Sequence, residues 1–241
     1  MTDNIRENHE ENRPFTWWEK LKYIFTNPSK AFENISQHPN YLFPVLTIII
    51  GMAILSYLRI DLYKEFYIEQ MQRQFASQGV NFQGDIQSMA KMQGYISVFG
   101  VIIMLPITWL IKSGLVHGIS KAAGGEGTFK QGFAAIVYAY FPMLLGSIII
   151  TIISLMVGKY DISATFAVIL PETMKGNFLY NLLSQFDIFV IWYQILAVIG
   201  ISYAYDISKK KASIGVLGTW IISILLATGI ATVSYSLMGN M

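Results

Sequence analysis

Long runs without any charged side chain alternate with polar segments along this chain. Five runs contain no Asp, Glu, Lys or Arg and are rich in Ile, Leu, Val and Phe: residues 41–58, 92–111, 131–158, 188–205 and 212–241. Each run is close to the roughly 20 residues that an α-helix needs to cross a bilayer. Because lipid cannot satisfy backbone hydrogen bonds, such runs are expected to be helices.

The pattern predicts an all-α, polytopic membrane protein with five transmembrane helices. Their expected positions are about residues 41–60, 92–121, 131–158, 184–206 and 212–238, within one membrane domain at 41–241. Charged residues make up only 13% of the chain, against about 25% in an ordinary globular domain. The alternative, a very apolar soluble helical protein, would lack the polar surface to cover its core. Membrane lipid is therefore an expected partner.

Basic residues predict the orientation of these helices. With the N-terminus inside, eleven of the 17 Lys and Arg residues lie in inner segments. Lys209, Lys210 and Lys211 directly precede the last run, and no charge follows it. Since cytoplasmic loops are enriched in Lys and Arg, we expect a cytoplasmic N-terminus and an extracytoplasmic C-terminus. Attraction of anionic lipid by these three lysines is the alternative reading, and we favour topology control alone.

The region before the first run has its own pattern. Residues 1–14 are polar and are predicted to be a disordered cytoplasmic tail, and residues 15–40 to form interfacial amphipathic helices. Thr16 and Glu19 form a capping-box pattern, and Asn27 with Pro28 predicts the start of a second helix. Helices packed on the cytoplasmic ends of the bundle are an equal alternative. The predicted membrane-interface residues are Trp17, Trp18, Lys209, Lys210 and Lys211.

A polar, helix-forming segment at 61–91 follows the first run. We predict that the first membrane helix runs outward beyond the bilayer, turns near 79–84, and returns through a helix capped by Asp85. Such an extracytoplasmic helical hairpin could be a docking surface or a solvated spacer.

The stretch "GGEGTFKQG" at 124–132 has four glycines and a lysine in nine residues. A phosphate-binding P-loop needs a preceding strand and a Lys-Ser or Lys-Thr after its last glycine, and neither is present here. A tight turn fits better. Gly124 and Gly125 then end one helix, and Thr128 caps the next.

Small residues and prolines indicate how the helices pack. Gly114, Gly118 and Ala122 are spaced four apart, a pattern that lets another helix approach closely, so they are a candidate helix-packing or partner interface. Pro106 and Pro142 lie inside predicted membrane helices, where they should produce kinks.

Four polar residues are candidates for intramembrane roles: Lys112, His117, Asp187 and Gln194. We expect Lys112 to reach the interface with its long side chain and Gln194 to make one hydrogen bond between helices. Lys112 and Asp187 should lie toward opposite membrane faces, which makes an ion pair between them unexpected. The absence of a charge at any helix centre argues against a proton relay.

No set of residues suggests catalysis. The chain has no cysteine and three histidines, and it contains neither H-E-x-x-H nor G-x-S-x-G. We therefore predict no enzyme activity, no catalytic residue, no cofactor and no metal. The net charge of +2 gives no indication of nucleic-acid binding. An intramembrane enzyme using Asp187 or Asp206 remains a third hypothesis.

The order of the motifs resembles the bacterial branch of the Yip1 domain family. The resemblance covers residue 17 to the end, and it rests on a Pro-Ser-Lys-Ala-Phe-like element and on a Gly-x-Gly-Thr-Phe turn followed by Tyr-x-x-x-Pro. The eukaryotic Asp-Leu-Tyr-Gly-Pro motif is absent, which argues against a vesicle-traffic role. The matching residues are Pro28, Phe32, Gly125, Gly127, Thr128, Phe129, Tyr138 and Pro142.

The resemblance implies a non-enzymatic membrane protein of a bacterial cytoplasmic membrane. Some bacterial relatives are accessory to ABC-type exporters, so we expect an accessory or adaptor of a membrane transport complex. Its partner would be a transporter subunit or a second copy of the chain. The alternative is an autonomous transporter or scramblase for lipid or a small solute.

Overall fold

The structure is a computed structural model that describes residues 13–77, 79 and 84–239. The predicted tail at 1–14 lies almost entirely outside these residues, as does most of the predicted turn at 79–84. The described residues form helices and short 3₁₀ turns, with no strand beyond one isolated bridge between Thr165 and Asp187. The predicted all-α class is confirmed.

Ten α-helices lie within the described residues: α1 (Trp17–Thr26), α2 (Pro28–Gln37), α3 (Leu42–Leu58), α4 (Ile60–Ser77), α5 (Ile86–Ala122), α6 (Phe129–Ala139), α7 (Phe141–Val157), α8 (Phe178–Leu183), α9 (Ile188–Tyr205) and α10 (Lys209–Gly239). Two 3₁₀ turns, Phe166–Ile169 and Glu172–Met174, precede α8.

Four spans among the described residues are long and apolar enough to cross a membrane: Ile86–Ala122, Phe129–Val157, Ile188–Tyr205 and Lys209–Ser236. The pair Leu42–Leu58 and Ile60–Ala76, bent by 59°, provides a fifth if it is one broken span. Many side chains on these helices are exposed and apolar, such as Ile103 and Ile222. These exposed side chains are the lipid-contacting surface of a multi-pass membrane protein.

The two prolines have different effects. Pro106 lies inside α5, which continues through it as one helix of 37 residues. Pro142 lies at the second position of α7, directly after the break at Tyr140 that separates α6 from α7. Because proline has no N–H, the carbonyl of Tyr138 loses its usual partner four residues on, and the helix is interrupted there.

The contacts divide the chain into two compact units. The described part of unit 1 contains residues 13–46, 108–141 and 192–220. Its core is centred on α6, whose residues 132–139 are all buried. The described part of unit 2 contains 47–107 with the gaps given above, 142–191 and 221–239. In unit 2, a Cβ at Gly94 of α5 would lie 3.0 Å from Ile60, so α4 and α5 pack closely where the 61–91 segment begins.

Candidate functional site

The glycine loop, residues 124–132, joins α5 to α6 and closes onto the C-terminal end of α9. Gly124 has a φ of +86° and ends α5. The N–H of Gly125 donates to the carbonyl of Ser120 at 2.9 Å, and the N–H of Glu126 donates to the carbonyl of Tyr205 at 3.0 Å. These amides are therefore engaged by the chain itself, which favours a turn over a phosphate-binding loop.

Three glycines of the loop region lie against α9 without room for a side chain. A Cβ at Gly127 would overlap the carbonyl group of Ala204, and one at Gly132 would overlap the ring of Tyr205. A Cβ at Gly125 would lie 2.9 Å from the Cβ of Tyr205. At Gly125 and Gly127 the backbone of α9 lies too close for a side chain, and at Gly132 the ring of Tyr205 takes up the space.

The ring of Tyr205 connects the loop to α5. Its hydroxyl lies 2.7 Å from Nδ1 of the half-buried His117, so one hydrogen bond joins the two polar groups. The ring of Phe129 packs edge-on against His117, with ring centroids 5.9 Å apart. Tyr205 is only 1% exposed. The predicted intramembrane residue His117 is thus part of the packing between α5, α6 and α9.

A second polar contact joins α5 to α9. It lies about one and a half helical turns before His117 on α5. The ammonium of Lys112 donates to Oε1 of Gln194 at 2.8 Å and lies 4.2 Å from the ring centroid of Tyr193. No carboxylate of a described residue lies within ion-pair distance of Lys112. An amide oxygen and an aromatic face therefore stabilise the cation. The sequence suggested that Lys112 extends toward the interface, whereas the structure turns it inward against α9.

The N-terminal helices α1 and α2 pack on each other and on α6. Phe32 of α2 is fully buried, and a Cβ at Gly200 of α9 would lie 2.8 Å from its ring. The side-chain amide of Gln131 donates to the carbonyl of Ser36 at 2.9 Å. The N-terminal helices therefore pack against α6 and α9.

Lys20 fixes α1 from inside this packing. Its ammonium donates to the carbonyl of His38 at 3.0 Å and lies 5.7 Å from the ring centroid of Tyr138. Burial lowers the pKa of Lys20, because leaving water disfavours the charged form. The outer edge of α1 stays accessible, since Trp17 and Trp18 stack on each other and remain exposed.

The capping box of α1 is present as predicted. The hydroxyl of Thr16 accepts from the N–H of Glu19, whose carboxylate accepts from the N–H of Thr16. The hydrogen bond from Arg13 and the bond from the Thr16 backbone lower the pKa of Glu19 to about 2. The carboxylate is therefore ionised at neutral pH, beside the positive end of the helix dipole.

Comparison with known proteins identifies the family. The family model described as the Yip1 domain matches residues 22–231. This chain belongs to the Yip1 domain family. It is also similar to "Membrane protein YknW" of Bacillus subtilis (strain 168), with 28% identity over 210 residues, which is 84% of this chain and 83% of that protein. No solved structure matches the chain significantly.

All the Yip1 motif residues except Pro142 lie in unit 1, around α6. Pro28 is the first residue of α2, with Asn27 as its cap. Thr128 forms a second capping box with Gln131 at the start of α6. Together they set the two helix starts that bring α2 and α6 into contact. The other motif residues are placed as follows: Phe32, Gly125, Gly127 and Phe129 lie in the contacts described above, and Tyr138 and Pro142 lie at the α6–α7 break.

The small-residue face of α5 in this Yip1 protein is not covered by any described residue. Gly114, Gly118 and Ala122 are all exposed. No atom outside their immediate helix neighbourhood lies within 4 Å of a Cβ built at Gly114 or Gly118. The predicted packing stripe therefore has no partner helix among the described residues.

Two other predicted residues have structural roles. Lys211 extends its ammonium to the carbonyl of Ala123 at 2.8 Å, at the C-terminal end of α5, whereas Lys209 and Lys210 are exposed in the first turn of α10. Asp187 caps α9, because Oδ1 accepts from the N–H groups of Phe189 and Val190. The ammonium of Lys211 at the C-terminal end of α5 and the carboxylate of Asp187 at the N-terminal end of α9 each have the charge that the helix dipole favours.

Sequence reasoning missed Tyr205 and Gly200. The sequence indicates Asp206 only as a candidate residue of an intramembrane enzyme. In the structure Asp206 has a φ of +51° and ends α9, with the N–H of Ile207 donating to the carbonyl of Ser202 at 3.1 Å. The sequence shows Gly200 only as a glycine in an apolar run. Its close packing could not be predicted, because its neighbours Phe32 and Ala135 are distant in sequence.

Proposed function

We propose that this Yip1-family protein is a non-enzymatic accessory or adaptor of a membrane transport complex. An ABC-type exporter is the kind of complex that the family resemblance implies. We place the protein in a bacterial cytoplasmic membrane with its N-terminus inside and its C-terminus outside. The orientation is supported by unit 1, which contains every described basic residue of the segments predicted to be inner, including Lys121, Lys130 and Lys211.

The observation that carries the proposal is the contrast between two faces of α5. One face is filled by α10, since a Cβ at Gly215 would lie 3.4 Å from the side chain of Ile119. The other face, at Gly114 and Gly118, has open space beyond it. Small residues on a membrane helix let a second helix approach to backbone contact. A helix of a transporter subunit is the occupant that we propose for this open face.

The absence of enzyme activity is part of the same proposal. His117 is bonded to Tyr205, and Lys112 is bonded to Gln194. These hydrogen bonds hold α5 against α9, so packing accounts for the polar groups without a reacting substrate. Asp187 and Asp206 are accounted for by the two ends of α9.

In-cell photocrosslinking tests the proposal. A photoreactive side chain at Leu115, exposed beside the open face, should crosslink to a transporter subunit that copurifies in mild detergent. The double variant Gly114→Leu with Gly118→Leu should abolish that crosslink while the protein stays folded, because leucine fills the space needed by the partner helix. The same probe at Ile222, an exposed residue of α10, should give lipid or background products.

A matched control uses two other open glycines. Gly218 and Gly229 of α10 also have nothing within 4 Å of a built Cβ, so Gly218→Leu with Gly229→Leu adds the same bulk elsewhere. This control should keep the crosslink. If crosslinks form only between two copies of the chain, the open face is the interface of a homo-oligomer and the adaptor proposal is wrong. No crosslink specific to Leu115, together with lipid or solute flux in liposomes, would favour an autonomous transporter.

A further inference from the structure

Unit 2 contains a cavity of about 200 Å³ near the bend between α3 and α4. Its polar lining comes from four separate parts of the chain: Arg59, Ser147, Ser163, Thr165 and Asp187. Pockets for drug-sized ligands have volumes of roughly 300–1,000 Å³. This cavity therefore suits a small polar group and not a large ligand.

Arg59 is held at the cavity wall with part of its guanidinium uncommitted. Its Nη2 donates to the carbonyl of Tyr160 at 2.9 Å, and the guanidinium lies 4.5 Å from the centroid of the Tyr160 ring. The Nε group is buried and has no hydrogen-bond partner among the described residues. A guanidinium stays charged in a protein and its N–H groups match the oxygens of a phosphate or carboxylate. The guanidinium of Arg59 therefore lines the cavity and keeps hydrogen-bonding capacity that no described residue uses.

Asp187 brings the opposite charge to the same cavity. Its Oδ1 accepts from the N–H groups of Phe189 at 2.7 Å and Val190 at 2.8 Å. Oδ2 accepts no hydrogen bond from a described residue. Asp187 and Arg59 do not form an ion pair, since the salt bridges of the described residues do not include them. The cavity therefore presents a cation and an anion that do not neutralise each other directly.

The apolar side of the cavity is formed by close packing of α9 on α7. A Cβ at Gly146 would lie 2.6 Å from the ring of Phe189, so this ring rests directly on the α7 backbone. Met143 and Ile150 extend the same wall. An apolar wall with two opposite charges gives a bound group one preferred orientation.

We propose that this cavity binds a small zwitterionic group. Its phosphate or carboxylate contacts Arg59 and its ammonium contacts Asp187, while the hydroxyls of Ser147 and Ser163 complete the polar wall. A phosphoethanolamine lipid headgroup and a free small zwitterion share this chemistry. This site is independent of the open α5 face on which the adaptor proposal rests.

Native mass spectrometry of the full chain in detergent tests the proposal, with phosphatidylethanolamine and anionic phosphatidylglycerol as probes. The unmodified protein should retain phosphatidylethanolamine about tenfold more than phosphatidylglycerol, as expected for one charge-assisted hydrogen bond. Asp187→Asn should remove this preference, because asparagine keeps the helix cap and loses the charge. Arg59→Gln should reduce retention of both lipids.

Asp85→Asn is the matched control. Asp85 caps α5 through the N–H of Ser88 at 3.0 Å, so the control makes the same substitution at another helix start. It should leave the lipid preference unchanged. Added phosphoethanolamine distinguishes a lipid headgroup from a free zwitterion. If the protein binds phosphoethanolamine, loses this binding in Asp187→Asn and shows no lipid preference, the ligand is a free zwitterion. Equal retention of both lipids with no phosphoethanolamine binding, or a preference that survives Asp187→Asn, would overturn the proposal.

Discussion

The glycine loop at 124–132 and the glycines of the open α5 face belong to the same unit, but their surroundings are opposite. Gly127 and Gly132 lie against Ala204 and Tyr205 with no space for one more carbon atom. Gly114 and Gly118 have no neighbour within 4 Å of a built Cβ. The first pair marks a contact that the chain has already made, and the second pair marks a surface that the described residues leave free.

The largest expected effect is that of Gly127→Ala. A methyl group would overlap the Ala204 carbonyl, which belongs to the α9 backbone and cannot rotate away. We expect a loss of at least about 3 kcal/mol of unfolding free energy. Denaturation in mixed detergent micelles measures it. A variant as stable as the unmodified protein would show that the loop does not lie against α9.

Gly200→Ala extends the comparison to a crowded glycine and an open glycine that both lie within membrane helices. Gly200 lies in the middle of α9, as Gly114 and Gly118 lie within α5, but its Cβ would lie 2.8 Å from the Phe32 ring and 3.0 Å from Ala135. Either the ring moves or α2 shifts, at a cost of about 1–3 kcal/mol. Limited proteolysis before residue 40 should become faster, because α1 and α2 are then held less tightly. An unchanged cleavage rate would contradict the packing of α2 on α9.

Tyr205→Phe separates packing from hydrogen bonding in the crowded region. The ring stays beside Gly132, while His117 loses its partner at 2.7 Å. The expected destabilisation is about 1 kcal/mol, the usual value for one buried hydrogen bond. The same micelle denaturation measures it. A loss as large as that of Gly127→Ala would mean that the hydrogen bond, and not the close approach, holds the loop.

The smallest effect is expected for Gly114→Ala on the open face. Nothing obstructs the methyl group, and alanine favours a helix over glycine by about 1 kcal/mol. The purified protein should be equally stable or slightly more stable. A clear destabilisation of the purified chain would show that the face is already covered.

The helices were predictable because apolar runs and capping residues act locally. Thr16, Asn27 and Thr128 each cap a helix within three residues, so their roles could be inferred from neighbouring letters. The inward turn of Lys112 was not predictable, because Gln194 and Tyr193 lie about 80 residues away in sequence. The same holds for the closure of the loop on Tyr205.

The contrast between the two α5 faces could also not be predicted from the sequence. Gly114, Gly118 and Gly215 are all small residues of predicted membrane helices, and only the position of α10 shows that Gly215 is covered. A spacing of four residues predicts that a helix can approach, and it gives no information on whether the chain itself provides that helix.

Closure of the loop on Tyr205 has a consequence for biosynthesis. The loop leaves the ribosome before α9 exists, and at about 5–20 residues per second the interval between Gly127 and Tyr205 is roughly 4–16 s. During that time neither the Glu126 amide nor His117 has its final partner. Unit 1 is therefore completed only after α9 has been made, and a nascent chain halted before residue 205 should present an unfinished loop to the insertion and quality-control machinery.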